Sequence, residues 1–341
     1  MQRIIASLFA ILLLLTACSP GAEGSPSPSA EQPTKVTFAL DWAPNTNHTG
    51  VYVADQLGYF EEAGLDVEIL PYASTPVSEL VSSGSADFGI AGQAVVLIGR
   101  TTGLDVVSVY RVTQSEVGEL VTLPDRDDIN SPKDLDGKTF GGFGSPLYSA
   151  MVHTMITHDG GTGEITEVVL DTGAYEALSS GRIDFTLGVS TWESINAELQ
   201  GHPYKTFQYQ DYGLPQNQAV GIISSDAFLA ANPDVANAFV QAVQRGYQYA
   251  ADNPEEATQL LVEANPDTLG ESEELVRRSI EKLSQDGLWV ADGVVTGSAN
   301  PQIWADYGQF MVDNEILVDS AGAKVTESPD WTQYYTNDYL A

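Results

Sequence analysis

The side chains best able to do chemistry in this 341-residue sequence are gathered in Asp41-Trp42-Ala43-Pro44-Asn45-Thr46-Asn47-His48-Thr49-Gly50. Ten residues supply a carboxylate, an indole, two amides, two hydroxyls and an imidazole, with one proline to stiffen them. A plain connection needs only about two to six residues. Asp41, Asn45, Asn47 and His48 offer hydrogen bonds to a polar ligand, and Trp42 offers a stacking surface to a flat one. A second group stands at Gly188-Val189-Ser190-Thr191-Trp192-Glu193. There an indole adjoins a carboxylate that can accept from an exocyclic amine, a strong charge-assisted contact in a closed site. A third is Gly141-Gly142-Phe143-Gly144-Ser145-Pro146, where Ser145 can cap a helix and leave backbone N–H groups free for an acceptor atom. Gly92-Gln93 is a fourth polar point.

Recognition suits these groups better than catalysis does. The glycine loop lacks the dinucleotide fingerprint and the P-loop lysine. His48, His153, His158 and His202 have no metal-ligand spacing, and no G-x-S-x-G elbow is visible. Neither a catalytic residue, a metal nor a cofactor is expected. His48 reads as a hydrogen-bonding or loop-shaping residue. A bland reading stays open, in which Trp42 and Trp192 pack the cores and Glu193 begins an exposed helix. The net charge of −33 would repel the phosphates of nucleic acid.

The elements that must position these groups follow from the hydrophobic pattern. Val36 to Leu40 alternates as a strand, and Val51 to Ala63 reads as a helix ending before Gly64. A strand at Leu65–Leu70, a helix from Thr75-Pro76 to Gly84 and a strand at Ala86–Ala91 complete a β-α-β-α-β unit. A second unit repeats the order. It has a strand at Lys138–Gly142, a helix at Pro146–His158, a strand at Thr166–Leu170, a helix at Gly173–Ser180 and a strand at Ile183–Leu187. The sequences echo as well. Glu79 to Phe88 and Glu176 to Phe185 coincide at six of ten positions, including the aspartate and the phenylalanine. After Gly221-Ile222-Ile223 a helical tail returns, with helices opened by Pro233 and Pro254 and a third over Glu273–Gln285. The chain would then cross between two lobes near Val121–Leu123 and near Gln218–Gly221, making a hinge and a cleft.

The start of the chain reads as an export signal. Met1-Gln2-Arg3 is basic, and Ile4 to Leu15 is apolar but too short to span a membrane comfortably. It ends in Leu15-Thr16-Ala17-Cys18, which looks like a bacterial lipobox, and Cys18 is the only cysteine. The proline- and serine-rich stretch after it reads as a tether. The expected layout is a lipoprotein signal peptide at 1–17 and a lipid-anchored flexible linker at 18–34. Lobe 1 spans 35–121 plus 221–341, and lobe 2 spans 122–220.

With these residues in hand, residues 35–341 resemble the solute-binding proteins of ABC importers. The branch is the NMT1/THI5-like one, which shares its fold with the thiamine-pyrimidine synthases. The resemblance rests on Asp41 through Gly50, then Ala54, Gly58-Tyr59-Phe60, Gly64-Leu65, the Gly84/Asp87/Phe88/Gly89 segment and Gly144-Ser145-Pro146. It implies an α/β fold of the periplasmic-binding-protein-like type II kind, with two α/β lobes, a hinge and an interlobe ligand cleft. It further implies an aminopyrimidine ligand of the formylaminopyrimidine or hydroxymethylpyrimidine type, held by Trp42, Trp192 and Glu193. Asp41, Asn45, Asn47, His48, Gln93, Gly144 and Ser145 complete the expected ligand site. Expected partners are ABC permease and ATPase subunits and the membrane, through the lipid on Cys18. The protein would be an extracytoplasmic monomer anchored to the cell membrane. Riboflavin or a sulfonate such as taurine is the alternative ligand within the class. The synthase branch looks to carry a cofactor-binding lysine where this chain has Ala91, and a cysteine-rich motif where it has none.

Overall fold

The computed structural model describes residues 32–170 and 173–341, so Cys18 and its flanking leader lie outside the described residues. The opening alternating run forms β1 (Thr34–Ala39), with Val36 and Phe38 buried. A 3-10 turn at Thr46–His48 leads into α1 (Thr49–Gln56) and α2 (Tyr59–Glu62). The single helix expected over 51–63 is therefore two, because Gly58 takes a φ of +72° that ends the first. Next come β2 (Leu65–Leu70), α3 (Val77–Ser82), β3 (Phe88–Gly92), α4 (Gln93–Thr101) and β4 (Val107–Arg111).

The second pass runs β5 (Gly118–Thr122), β6 (Thr139–Gly142), α5 (Pro146–His158), β7 (Thr166–Val169) and α6 (Ala174–Ser179). It continues with β8 (Phe185–Val189), α7 (Glu193–Leu199) and β9 (Lys205–Gln208). The chain returns as β10 (Val220–Ser224) and enters the tail: α8 (Asp226–Ala231), α9 (Pro233–Asp252), α10 (Pro254–Ala264), α11 (Pro266–Leu269), α12 (Glu273–Gln285) and α13 (Pro301–Asp313).

Two five-stranded sheets result, in the orders β2-β1-β3-β10-β4 and β7-β6-β8-β5-β9. They are copies of one plan. β1 lies parallel between β2 and β3 as β6 lies between β7 and β8. Each sheet then takes an antiparallel strand, β10 beside β3 and β5 beside β8. The sequence echo has a physical basis here. Asp87 accepts from the backbone N–H of Thr37 at 2.8 Å, and Asp184 accepts from that of Thr139 at 2.7 Å. Phe88 pairs with Phe38 and Phe185 with Phe140 across the same strands.

β5 belongs to the second sheet, so the first crossing runs from Val112 to Val117, earlier than Val121–Leu123. The second runs into β10 beside it, and the two crossings are zipped together. Val112 and Thr113 donate to the Val220 carbonyl at 2.9 and 3.2 Å, and Val220 N–H donates to the Thr113 hydroxyl at 3.0 Å. This is a two-stranded hinge. α9 covers the first sheet, and its Gly246 lets α1 approach so closely that a Cβ there would meet the Gly50 carbonyl at 2.0 Å. Among the described residues no helix is long and apolar enough to cross a membrane.

Candidate functional site

A cavity of about 400 Å³ opens where the two sheets meet the hinge. The first lobe contributes Asp41 and Asn47 from the β1–α1 loop and Gln93 from the start of α4. The second contributes Phe143, Tyr148 and Met151 from the β6–α5 region, Tyr175 from α6 and Leu187 from β8. Glu116, Val117 and Asn217 come from the crossings, Tyr209 follows β9 and Tyr307 is on α13. Among the described residues that line it, none is Lys, Arg or His.

The β1–α1 loop is tied to itself. Asn45 N–H donates to Nδ1 of His48 at 3.1 Å, which leaves Nε2 as the protonated nitrogen facing Asp41 Oδ1 at 3.1 Å. The Asn45 side chain accepts from Asn47 N–H at 2.9 Å and donates to the Ala43 carbonyl at 3.0 Å. Tyr247 of α9 donates to the Asn47 carbonyl at 2.5 Å. His48 is fully buried, so it shapes the loop and aims Asp41.

Trp42 stands beside Asp41 but is 44% exposed, its ring centroid 5.4 Å from that of Tyr72. It is a half-exposed loop residue, outside the lining of the cavity and not part of a core. Trp192 caps α7 and packs across against the apolar cluster of the first lobe. Glu193 lines a separate hollow with Trp192, Tyr175 and Tyr204, and accepts from the Val189 N–H at 3.1 Å. Tyr175 and Val189 link that hollow to the cavity, since Tyr175 lines both. Burial pushes the Glu193 carboxyl up to about 7, and the charge of Glu119 adds to the rise. Gly144 takes a φ of +74°, and Ser145 occupies the N-cap position of α5 with its hydroxyl making no cap bond. The carbonyl of Ser145 accepts from Tyr148 N–H instead, at 3.0 Å.

Of the ten residues expected from sequence, Asp41, Asn47 and Gln93 thus meet in the cavity wall. Trp42, Asn45 and His48 belong to the same loop. Gly144 and Ser145 follow Phe143 without lining the cavity, and Trp192 and Glu193 line the separate hollow on the other side of Tyr175.

Glu116 escaped the sequence reading. Its Oε1 accepts from the N–H groups of Val117 and Gly118 at 2.9 and 2.7 Å, and its Oε2 accepts from the Asn217 amide at 3.1 Å. Burial raises its pKa above the ordinary carboxylate value, and these three hydrogen bonds oppose the rise. The available signal was the polar run Thr113-Gln114-Ser115-Glu116 between two apolar stretches, which marks a crossing. The tyrosines 148, 175, 209 and 307 gave no local signal, for they are far apart in sequence.

The arrangement can hold a small, flat, uncharged or basic molecule between aromatic walls. It offers carboxylate and amide groups for orientation and no cation for an anion. Residues 45–257 match the sequence family described as NMT1/THI5 like. The chain is 34% identical to a formylaminopyrimidine-binding protein from Halalkalibacterium halodurans, over 79% of this chain and 82% of that one. It is 26% identical to the 4-amino-5-hydroxymethyl-2-methylpyrimidine phosphate synthase THI13 of Saccharomyces cerevisiae, over 68% and 72%. Among solved structures, the alkanesulfonate-binding protein SsuA from Xanthomonas axonopodis pv. citri, bound to MOPS, superposes with a TM-score of 0.64. The identity is 16%, with 85% and 96% of the two chains covered. That likeness concerns the fold.

Proposed function

The chain belongs to the NMT1/THI5-like family, and from that premise we propose that it is the solute-binding lipoprotein of an ABC importer for a thiamine pyrimidine precursor. The ligand is a formylaminopyrimidine or hydroxymethylpyrimidine, taken up outside the cytoplasm and delivered to a permease with its ATPase. The anchor is the lipid on Cys18. The observation that carries the ligand class is the aromatic cavity at the hinge, of a volume that suits a single-ring ligand and without a lining cation. A sulfonate would call for cationic donors, which ranks it below the pyrimidine. The relation to the synthases supports the same ring as ligand, while Ala91 and the lone cysteine leave no support for the synthase chemistry.

Binding proceeds by hinge closure. The ring enters against the tyrosine wall, Trp42 folds over it from the rim, and the second lobe brings Trp192 and Glu193 toward it. A thermal-shift panel tests the assignment. Formylaminopyrimidine or hydroxymethylpyrimidine at about a hundred times its Kd should add roughly 2.7 kcal/mol to stability and raise the Tm accordingly. No shift with either pyrimidine beside a clear one with riboflavin or taurine would overturn the ligand.

Trp42→Ala should weaken pyrimidine binding by at least about tenfold, roughly 1.4 kcal/mol, in a calorimetric titration. The Tm of the unliganded protein should stay put, because a side chain 44% exposed leaves no cavity behind. Unchanged affinity would remove Trp42 from the site.

A further inference from the structure

Two buried polar atoms on residues that line the cavity have no partner among the described residues, and their chemical identity is fixed by their neighbours. The first is Nε2 of Gln93, a residue with no solvent exposure. The other end of that amide, Oε1, accepts from the backbone N–H of Gln218 at 3.0 Å. Only an oxygen can take that bond, so the free end is an NH₂ donor. The second is Oδ1 of Asn217, a residue 8% exposed. Its Nδ2 donates to the carboxylate of Glu116 at 3.1 Å, and only a nitrogen can do that. Its free end is an acceptor.

Their residues are neighbours through the backbone. Asn217 and Gln218 are consecutive, and Gln93 N–H also donates to the Ala219 carbonyl at 3.3 Å. Residues of the wall therefore carry an unpaired donor, an unpaired acceptor and a carboxylate, each buried and tied to the hinge segments. An orphaned buried donor or acceptor carries the desolvation cost of an unmade hydrogen bond, so a ligand that pairs both recovers that cost on binding.

We infer that Gln93, Asn217 and Glu116 form a specificity-determining edge that reads a heteroaromatic amidine: a ring nitrogen beside an exocyclic amine. The ring nitrogen accepts from Gln93 Nε2, and the amine donates to Asn217 Oδ1 and toward the Glu116 carboxylate. This rests on the pyrimidine reading above and deepens it. The exocyclic amine goes to the hinge, and Glu193, whose carboxylate already accepts from Val189, is left to the substituent on the neighbouring ring carbon. A 4-oxo analogue presents a ring N–H and a carbonyl, the reverse pattern, and would set donor against donor and acceptor against acceptor. Because Gln93 and Asn217 bond to the crossing strands themselves, filling this edge also ties the ligand to the segments about which the lobes move.

The test is a pair of calorimetric titrations with 4-amino-5-hydroxymethyl-2-methylpyrimidine and its 4-oxo counterpart. The parent protein should prefer the amino compound by at least about a hundredfold, since two mismatched buried pairs are involved. Gln93→Glu replaces the free donor by an acceptor and should collapse or invert that preference. Glu116→Gln turns an NH₂ toward Asn217, whose amide then reverses and presents its own NH₂ to the ligand, so the variant should weaken the amino compound by about tenfold and shift the preference toward the oxo compound. A circular-dichroism melt accompanies each variant, and if Gln93→Glu fails to fold, Glu116→Gln decides alone. A selectivity ratio near one in the parent, or unchanged in the folded variants, overturns the inference while the pyrimidine function stands. Binding of neither compound overturns that function instead.

Discussion

Replacing Phe239 by alanine is expected to lower the free energy of unfolding by about 3–5 kcal/mol. The ring is fully buried on α9 and sits among three other phenylalanines. Its centroid is 4.1 Å from that of Phe88 on β3 at 12°, and 5.4 Å from that of Phe60 on α2 at 5°. It is 6.0 Å from Phe38 on β1. Truncation removes transfer free energy, leaves a ring-sized void and breaks aromatic contacts that each add about 0.5–1.5 kcal/mol. It also loosens the tail from the sheet whose β1–α1 loop builds the cavity. Urea denaturation should show a lower midpoint with an unchanged slope. A loss below about 1 kcal/mol would mean that α9 is not docked on this sheet.

The second large effect depends on pH. The Glu193 carboxyl is raised from its ordinary value of 4.5 to about 7, so the native protein keeps a proton that the unfolded chain releases. Stability from this group is fully present below about pH 4.5 and is lost as pH rises through 7. Glu193→Gln fixes the neutral form. Relative to the parent it should be nearly neutral at pH 4 and more stable by about 2 kcal/mol at pH 8, after allowance for partial exposure. Melting temperatures of the two proteins across that range give the difference directly. A difference that does not vary with pH would mean that Glu193 ionises normally in the folded protein.

Local chemistry explains why much of this was legible from residues alone. Strands that alternate, helices opened by Pro146, Pro233 and Pro254, and glycines that end helices at Gly84 and Gly181 are decided by neighbours in sequence. The duplicated Glu-to-Phe segment was visible for the same reason, because each copy pins its own neighbouring strand through its own aspartate. The β1–α1 loop stood out because its polar residues are consecutive, and they bond one another and their own backbone within seven residues.

The boundary between the lobes was harder to place. β4 and β5 are both apolar and separated by a short polar run, so nothing local says that one joins the first sheet and the other the second. That choice belongs to β10 and β8, which lie about a hundred and about seventy residues further along the chain.

Sequence by itself determined the class of elements and their doubled order. It marked the start of the chain as reading like an export signal and Asp41 to Gly50 as a loop too rich in polar groups for a plain connection. Those features rest on period, turn chemistry and composition, each set within a few residues. Only the tertiary structure decided which side chains share the cavity. Glu116 and Asn217 are 101 positions apart and meet because the two crossings run side by side, joined by hydrogen bonds around Val220. Gln93 and Asn217 became a complementary donor and acceptor because hinge contacts consumed the other end of each amide. Hydrogen-bond satisfaction is a property of the folded neighbourhood, and the pattern left over for a ligand exists only after the rest of the chain has made its own bonds.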